Sequence, residues 1–249
     1  MSTREQSSAD LRTRRLAFKQ RLQPAYLTLA ARLRAESIHV PSLRPTNYAR
    51  NLFHVASALV ALVAIEALQR PGVLFALALT WGAFAWSMEV LRRISPAANV
   101  RLMRFFGPVA HPHETHRVNS ATWYATALVM LSTTGSGLLC AVAVAVLGTG
   151  DPMAAVIGRR FGRIKLVHGR SLEGTLGFVA TAFVAAFAVL RAFHAGGMGL
   201  GAAAVVALAA AVAGALAELA SLRIDDNFSI PLSAASGAAL ALWALGLAS

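Results

Sequence analysis

The chain has 249 residues, 57% hydrophobic and only 14% charged, where a soluble domain carries about 25% charged residues. Its formal charge of +12 raises nucleic acid as a partner, but no aromatic-interleaved basic domain stands apart from the apolar runs, so no nucleic-acid partner is expected. The single cysteine, Cys140, excludes an internal disulfide and, lying in an apolar run, reads as a small packing residue.

Residues 1–47 read as a basic amphipathic N-terminal arm. Residues 1–50 hold ten Lys or Arg against three acids, with Leu11, Leu16, Phe18 and Leu22, then Leu27, Leu29 and Leu33, spaced among the arginines. Pro24 divides this stretch into two short helices, of the kind that lie on an anionic leaflet. The polar, basic start has no early apolar core and is not expected to be a cleaved signal peptide.

Residues 48–249 read as a transmembrane catalytic domain. Their apolar runs approach the ~20 residues that cross about 30 Å of hydrocarbon and lack the two-residue period of a membrane barrel. The expected fold is all-α, a polytopic transmembrane helical bundle of about seven spans with a cytoplasmic N-terminus. The spans fall at about 51–69, 73–91, a hairpin of two short helices within 121–147 broken near Gly135 and Gly137, 172–192, 199–221 and 228–247. With this topology 21 of the 23 Lys and Arg residues flank the cytoplasmic side, and only Arg70 and Arg191 lie outside, as the positive-inside bias requires. One helix over 121–147 would instead put two strongly basic loops on opposite sides. The protein is therefore expected in the cell inner (cytoplasmic) membrane, its polar stretches gathered on the cytoplasmic face.

Three polar stretches lie on that face. The first, "RRISPAANVRLMRFFGPVAHPHETHR", contains His111, His113 and His116, whose H-P-H-x-x-H spacing fits no zinc helix; Arg117 is the better phosphate contact. The second runs from Gly150 to Phe178. Asp151 there ends an apolar helix, and Arg159, Arg160, Arg163, Lys165 and Arg170 follow it. Glycines 158, 162, 169, 174 and 177 permit positive-φ turns and close backbone approach, as phosphate-cradling loops require, although Gly158 and Gly162 equally form a helix-packing notch. The stretch lacks G-x-x-x-x-G-K-S/T and is no P-loop. Ser171 and Glu173 suit either a helix cap with its first-turn acid or a nucleotide contact. The third stretch holds Asp225, Asp226 and Asn227 in a short link, where Asp226 or Asn227 could also cap the last span. Hard oxygen ligands of this kind suit Mg²⁺, which takes one or two carboxylates plus phosphate oxygens. Glu218, inside a span, projects towards the same face. Glu66 and Glu89 have no obvious neighbour to pair with in their own helices. His54, one turn into the first span, reads as hydrogen-bonded core or as a ligand.

These residues carry a resemblance. "GDPMAAVIGRRFGRIK…GRSLEGTLGF" resembles the signature G-D-x-x-A-x-x-x-G-R/K-x-F/Y-G … K-S/T-x-E-G-S/T of the CTP-dependent lipid kinases, which include dolichol kinase, phytol kinase and the yeast-type diacylglycerol kinase. "DDNFSIPLSA" is similar to the second signature of that family, D-D-N-x-x-I/V-P. "RNLFHVASAL" is similar to the start of its first core span, with Asn51 where Lys is usual; Arg170 likewise stands where Lys is commoner, which changes the donor geometry. The resemblance covers roughly residues 48–247. Phosphatidate cytidylyltransferase shares part of the first signature, but the H-G-G and D-R-x-D elements of that family are missing here.

The resemblance implies an integral membrane kinase that moves the γ-phosphate of CTP, or of another NTP, to a lipid alcohol such as a polyprenol, a phytol-like alcohol or diacylglycerol. It implies Mg²⁺ held by Asp151 and Asp226, catalytic roles for Asp151, Asp225, Asp226 and Glu218, and a nucleotide held by Arg117, Gly150, Gly158, Arg159, Arg160, Gly162, Lys165, Ser171, Glu173, Gly174 and Asn227. Asp225 and Glu218 are alternatives for orienting or deprotonating the alcohol. Cytidylyl transfer onto phosphatidate and a non-enzymatic membrane role are the competing readings.

Overall fold

The computed structural model describes residues 48–106, 117–221 and 224–247. The arm with its Pro24 break and the three histidines of the second connection lie outside these residues. Among the described residues are eight α-helices: α1 Tyr48–Leu68, α2 Pro71–Ile94, α3 Pro96–Phe106, α4 Ser120–Ser132, α5 Gly137–Phe161, α6 Leu172–Phe193, α7 Leu200–Ala220 and α8 Asp226–Ala244.

Five of them, α1, α2, α5, α6 and α7, are long and apolar enough to cross a membrane, so the chain is an integral membrane protein with an all-α fold. The helix pair expected within 121–147 is present: α4 ends at Ser132, Gly135 turns with φ +68°, and Ser136 caps α5 by accepting from Leu139 N. The two helices differ from expectation in length. The 13 residues of α4 make a rod of about 20 Å, too short for the hydrocarbon core by itself. By contrast α5 has 25 residues, about 37 Å. It does not stop near Leu147 but runs through Asp151 and Pro152 to Phe161. Pro152 removes one backbone donor, yet the tertiary packing of its flanks keeps the helix continuous.

α5 is the axis of the bundle, buried without interruption from Cys140 to Gly148, and Cys140 itself is a buried packing residue. It packs against α1, α6, α7 and α8, while α2 reaches the rest mainly through α3 and α4. Without water to drive helices together in lipid, contact depends on close van der Waals approach, and the interfaces are accordingly small. Ala203, Ala207, Ala210 and Ala211 of α7 and Ala234, Ala238 and Ala241 of α8 share one buried core cluster with residues of α5 and α6. Phe178 is the large exception. Its fully buried ring fills the notch left by Gly150 on α5 and Gly214 on α7, where added Cβ atoms would lie 2.7 Å and 3.2 Å from it. α1 and α2 turn Leu52, Phe53, Leu59, Val60, Leu77 and Trp81 outward, as lipid-facing helices do.

Polar residues concentrate at the bundle ends. At one end His194 Nε2 lies 2.9 Å from Glu66 Oε1 and ties α6 to α1, so Glu66 is paired, across helices. Towards the other end Glu89 is paired within its own helix, because α2 continues past the span expected to stop at residue 91. Arg92 Nε and Arg93 Nε each donate to it at 2.7 Å. Arg92 also donates to the Arg117 carbonyl and to Asn99 Oδ1 at 3.4 Å, and Glu89 accepts from Asn119 N at 3.3 Å. The result is a buried network that fixes the start of α4.

Candidate functional site

Residues 162–171, expected as a glycine-rich loop, form a miniature hairpin. Leu172 N donates to Ile164 O at 2.9 Å and Leu166 N to Arg170 O at 2.9 Å, with Lys165 and Ser171 opposite each other. The tip is the short turn Val167–Gly169, which passes through two successive left-handed residues, His168 at φ 58° and Gly169 at φ 78°. Glu173 accepts from Ile164 N at 3.2 Å and holds the hairpin onto α6. Ser171 is the cap of α6, accepting from Gly174 N at 3.2 Å.

The glycines of the signature are close-approach residues rather than turn residues. A Cβ on Gly174 would stand 2.9 Å from Ala154 O and 3.1 Å from Gly158 Cα, and one on Gly158 would stand 3.0 Å from Ser171 Oγ. Gly158 and Gly174 thus let α5 and α6 touch backbone to backbone, while Gly150 makes room for the Phe178 ring and Gly162 for Ser171. Among the glycines singled out in the stretch, Gly169 alone has a positive φ.

That tight crossing sets the position of Arg170, where the hairpin rejoins α6. Arg170 Nη1 lies 2.5 Å from Glu218 Oε1 on α7, and Arg170 Nη2 lies 2.7 Å from Asp226 Oδ2 at the start of α8. One guanidinium therefore joins residues from three regions of the chain. Asp151, on α5 beside the Gly150 notch, lies within electrostatic reach of Glu218, Asp226, Arg170, Arg159 and His54. Burial, then the charges of Asp151 and Asp225, push Asp226 up to about 6 from the usual 3.8 against the pull of Arg170.

The cap of α8 is Asp225, not Asp226 or Asn227. Its Oδ1 accepts from Asn227 N at 3.0 Å and from Asn227 Nδ2 at 2.8 Å. Its Oδ2 accepts from Ser120 Oγ at 3.0 Å, and Arg50 Nη2 donates to that hydroxyl at 3.4 Å. His54, one turn after Arg50, is held close enough to feel Asp151 and Asp225. The first turns of α1, α4 and α8 thereby meet the acids of α5 and α7 at one end of the bundle.

The remaining expected residues lie nearer the rim. Arg159 and Arg160 occupy the exposed last turn of α5, with Arg160 5.4 Å over the Phe161 ring. Lys165 is exposed on the hairpin, Arg117 is exposed ahead of α4, and Asn227 is buried. Arg50, Ser120 and the bridging role of Arg170 escaped sequence reasoning. The signal for Ser120 was the Asn119 cap preceding an apolar run, since Asn119 Oδ1 accepts from Ala121 N at 2.7 Å.

Three buried side-chain atoms have no hydrogen-bond partner among the described residues: Asn51 Nδ2, Tyr124 Oη and Glu218 Oε2. Orphaned groups of this kind are scarce in folded proteins and costly. No group of three or more His, Cys, Asp and Glu is arranged to hold a metal ion by itself among the described residues. The donor set, two carboxylates at helix positions beside cationic side chains, matches a hard ion that keeps phosphate oxygens and water in its shell.

A 46-residue stretch is 46% identical to dolichol kinase of Saccharomyces cerevisiae, covering 18% of this chain and 9% of that protein. No family model matches the chain, and no solved structure matches it. The similarity is partial, and it joins a polytopic helical membrane protein to a lipid kinase over a short segment.

Proposed function

We propose that this protein is an integral membrane phosphotransferase that moves the γ-phosphoryl group of CTP, or of another NTP, to the hydroxyl of a lipid alcohol such as a polyprenol, a phytol-like alcohol or diacylglycerol. The observation that carries the reading is the convergence of Asp151, Asp226 and Glu218 about Arg170 at one end of a membrane bundle. The signature residues and the short likeness to a dolichol kinase support it.

Phosphoryl transfer asks little covalent chemistry of a protein and much positioning and charge neutralisation. In this reading Asp151 and Asp226 hold Mg²⁺, which when bound neutralises the triphosphate. Arg159, Arg160 and Lys165 meet phosphate oxygens from the rim, with Arg117 and Asn227 as further nucleotide contacts. Gly150, Gly158, Gly162, Gly174, Ser171 and Glu173 serve the site by setting the α5–α6 crossing and the hairpin. The site faces the cytoplasm of the inner membrane, where the nucleotide is, and the alcohol arrives sideways between helices.

The test is a transfer assay with γ-labelled CTP and ATP, purified protein in lipid bilayers, Mg²⁺ and a panel of lipid alcohols. Label in a phosphorylated lipid with nucleoside diphosphate released supports the proposal. Pyrophosphate release with phosphatidate moves the chain to cytidylyl transfer, and no nucleotide turnover with any lipid overturns the enzyme reading.

A further inference from the structure

We propose that Glu218, rather than Asp225, receives the hydrogen of the alcohol hydroxyl. The inference rests on the phosphotransferase reading and names the residue that this reading leaves open.

Both candidate acids lie at the same end of the bundle, but their oxygens differ in occupancy. Asp225 is engaged on each oxygen, by Asn227 through two nitrogens on Oδ1 and by Ser120 on Oδ2. Its job is to cap α8 and to bind the first turn of α4 to it. Among the described residues, Glu218, 2% exposed, is ion-paired through Oε1, while its Oε2 is buried with no hydrogen-bond partner. A carboxylate oxygen is an acceptor only, so what completes this one must be a donor. Arg170, 2.5 Å from Oε1, is shared with Asp226 and does not reach Oε2, so the donor that completes Glu218 must come from elsewhere. A neutral hydroxyl supplies one.

Depth makes the same choice. Glu218 lies inside α7, two residues before its end at Ala220, whereas Asp225 and Asp226 lie beyond it in the connection and at the first position of α8. An alcohol anchored in the bilayer thus meets Glu218 from the membrane side, and a water-soluble nucleotide meets Asp226 from the other. Arg170 bonds both acids at once and so holds the hydroxyl-accepting group at a set distance from the phosphate-side carboxylate.

The step balances. The alcohol O–H bond breaks and its proton goes to Glu218 Oε2. The freed oxygen electron pair forms a bond to the γ-phosphorus. The bond from that phosphorus to the β,γ-bridging oxygen breaks, and its electrons leave with the nucleoside diphosphate. Glu218 then releases its proton to solvent as the product departs. A positioned base of this kind is worth about 10²- to 10⁴-fold in rate.

The test uses the full chain in lipid bilayers and compares wild type with Glu218→Gln, Glu218→Asp and Asp225→Asn, measuring kcat for transfer to lipid and nucleotide Kd separately. The expected result is a fall in kcat of at least about 100-fold in Glu218→Gln with nucleotide Kd within about threefold of wild type. Glu218→Asp, which keeps the charge and shortens the arm, is expected to fall between them. Asp225→Asn keeps an equivalent cap and is expected to lose less than Glu218→Gln. The inference is overturned if Glu218→Gln stays within about fivefold of wild-type kcat. It is equally overturned if nucleotide affinity falls in step with activity in both Glu218 variants, which would make Glu218 a support for Arg170 alone. Failure of wild type to label any lipid alcohol sinks the phosphotransferase reading instead, so the two failures are distinct.

Discussion

The ring of Phe178 is seated against Gly150 so closely that a Cβ there would lie 2.7 Å from it, immediately before Asp151 in sequence. The same ring closes on Gly214, four residues before Glu218. A single buried aromatic thus sets the spacing of two helices that each carry an acid of the candidate site. Gly150→Ala gains about 1 kcal/mol of helix propensity but overpacks a site costing about 1–3 kcal/mol. The clash wins, because a fully buried ring held from two sides has nowhere to go. Thermal unfolding in detergent should show a net loss of up to about 2 kcal/mol, partly recovered by adding Phe178→Leu. Gly201→Ala, where no atom lies within 4 Å, should be neutral or slightly stabilising. Equal losses at both positions would contradict this packing.

Removing Arg170 leaves Glu218 as an unpaired buried carboxylate. Breaking a fully buried pair costs about 3–5 kcal/mol; since the Arg170 side chain keeps 30% exposure, Arg170→Ala should cost about 2–4 kcal/mol. Phosphotransfer should fall by about 10²-fold or more, as when one preorganised donor is deleted. Arg170→Lys keeps the charge but loses the fork that reaches two carboxylates, and should be intermediate in both measurements. A lysine variant with wild-type activity would show that the double contact is dispensable.

The position of Asp226 makes stability depend on pH. Its folded value, about 6, stands above the ordinary 3.8, so the folded state binds this proton more tightly than the unfolded chain does. The contribution is fully present below about pH 4 and is lost as pH rises through about 6. The gap bounds the effect at about 3 kcal/mol, and with 27% of the side chain exposed about 1–2 kcal/mol is expected. Metal-free Asp226→Asn should therefore be the more stable protein at pH 7.5, with a flatter stability profile between pH 4 and 7. Mg²⁺ with CTP should raise the wild-type Tm at pH 7.5, raise it less at pH 5, and leave the variant unchanged. Parallel profiles for the two proteins would refute the assignment.

The bundle predicts sidedness as well. Lys165 on the hairpin and Ile224 before α8 lie at the Arg170 end, while Gly196, between α6 and α7, lies at the other. Single cysteines at these positions should react with a membrane-impermeant maleimide from one side for Lys165 and Ile224 and from the opposite side for Gly196. The native Cys140 is buried and should add little background. Labelling of Lys165 and Ile224 from different sides would separate the parts of the candidate site.

The sequence by itself determined that the chain is a helical membrane protein, that its basic connections alternate with apolar runs, and that a turn at Gly135 divides residues 121–147. It also marked Asp151, Asp225, Asp226 and Glu218, because a carboxylate among apolar helices is conspicuous in one dimension. These features rest on composition and period, which the chain carries locally. It did not determine where α5 stops. The charges after Asp151 read as a loop, but the Gly158–Gly174 contact and the Phe178 notch keep the helix intact through Pro152 to Phe161. It also left Asp225 and Glu218 as alternatives for meeting the alcohol. Only the tertiary structure separated them, by setting Arg170 between Glu218 and Asp226, engaging both oxygens of Asp225 with Ser120 and Asn227, and leaving Glu218 Oε2 without a hydrogen-bond partner among the described residues. Hydrogen-bond saturation and burial depend on neighbours far along the chain, and packing alone brings those neighbours together.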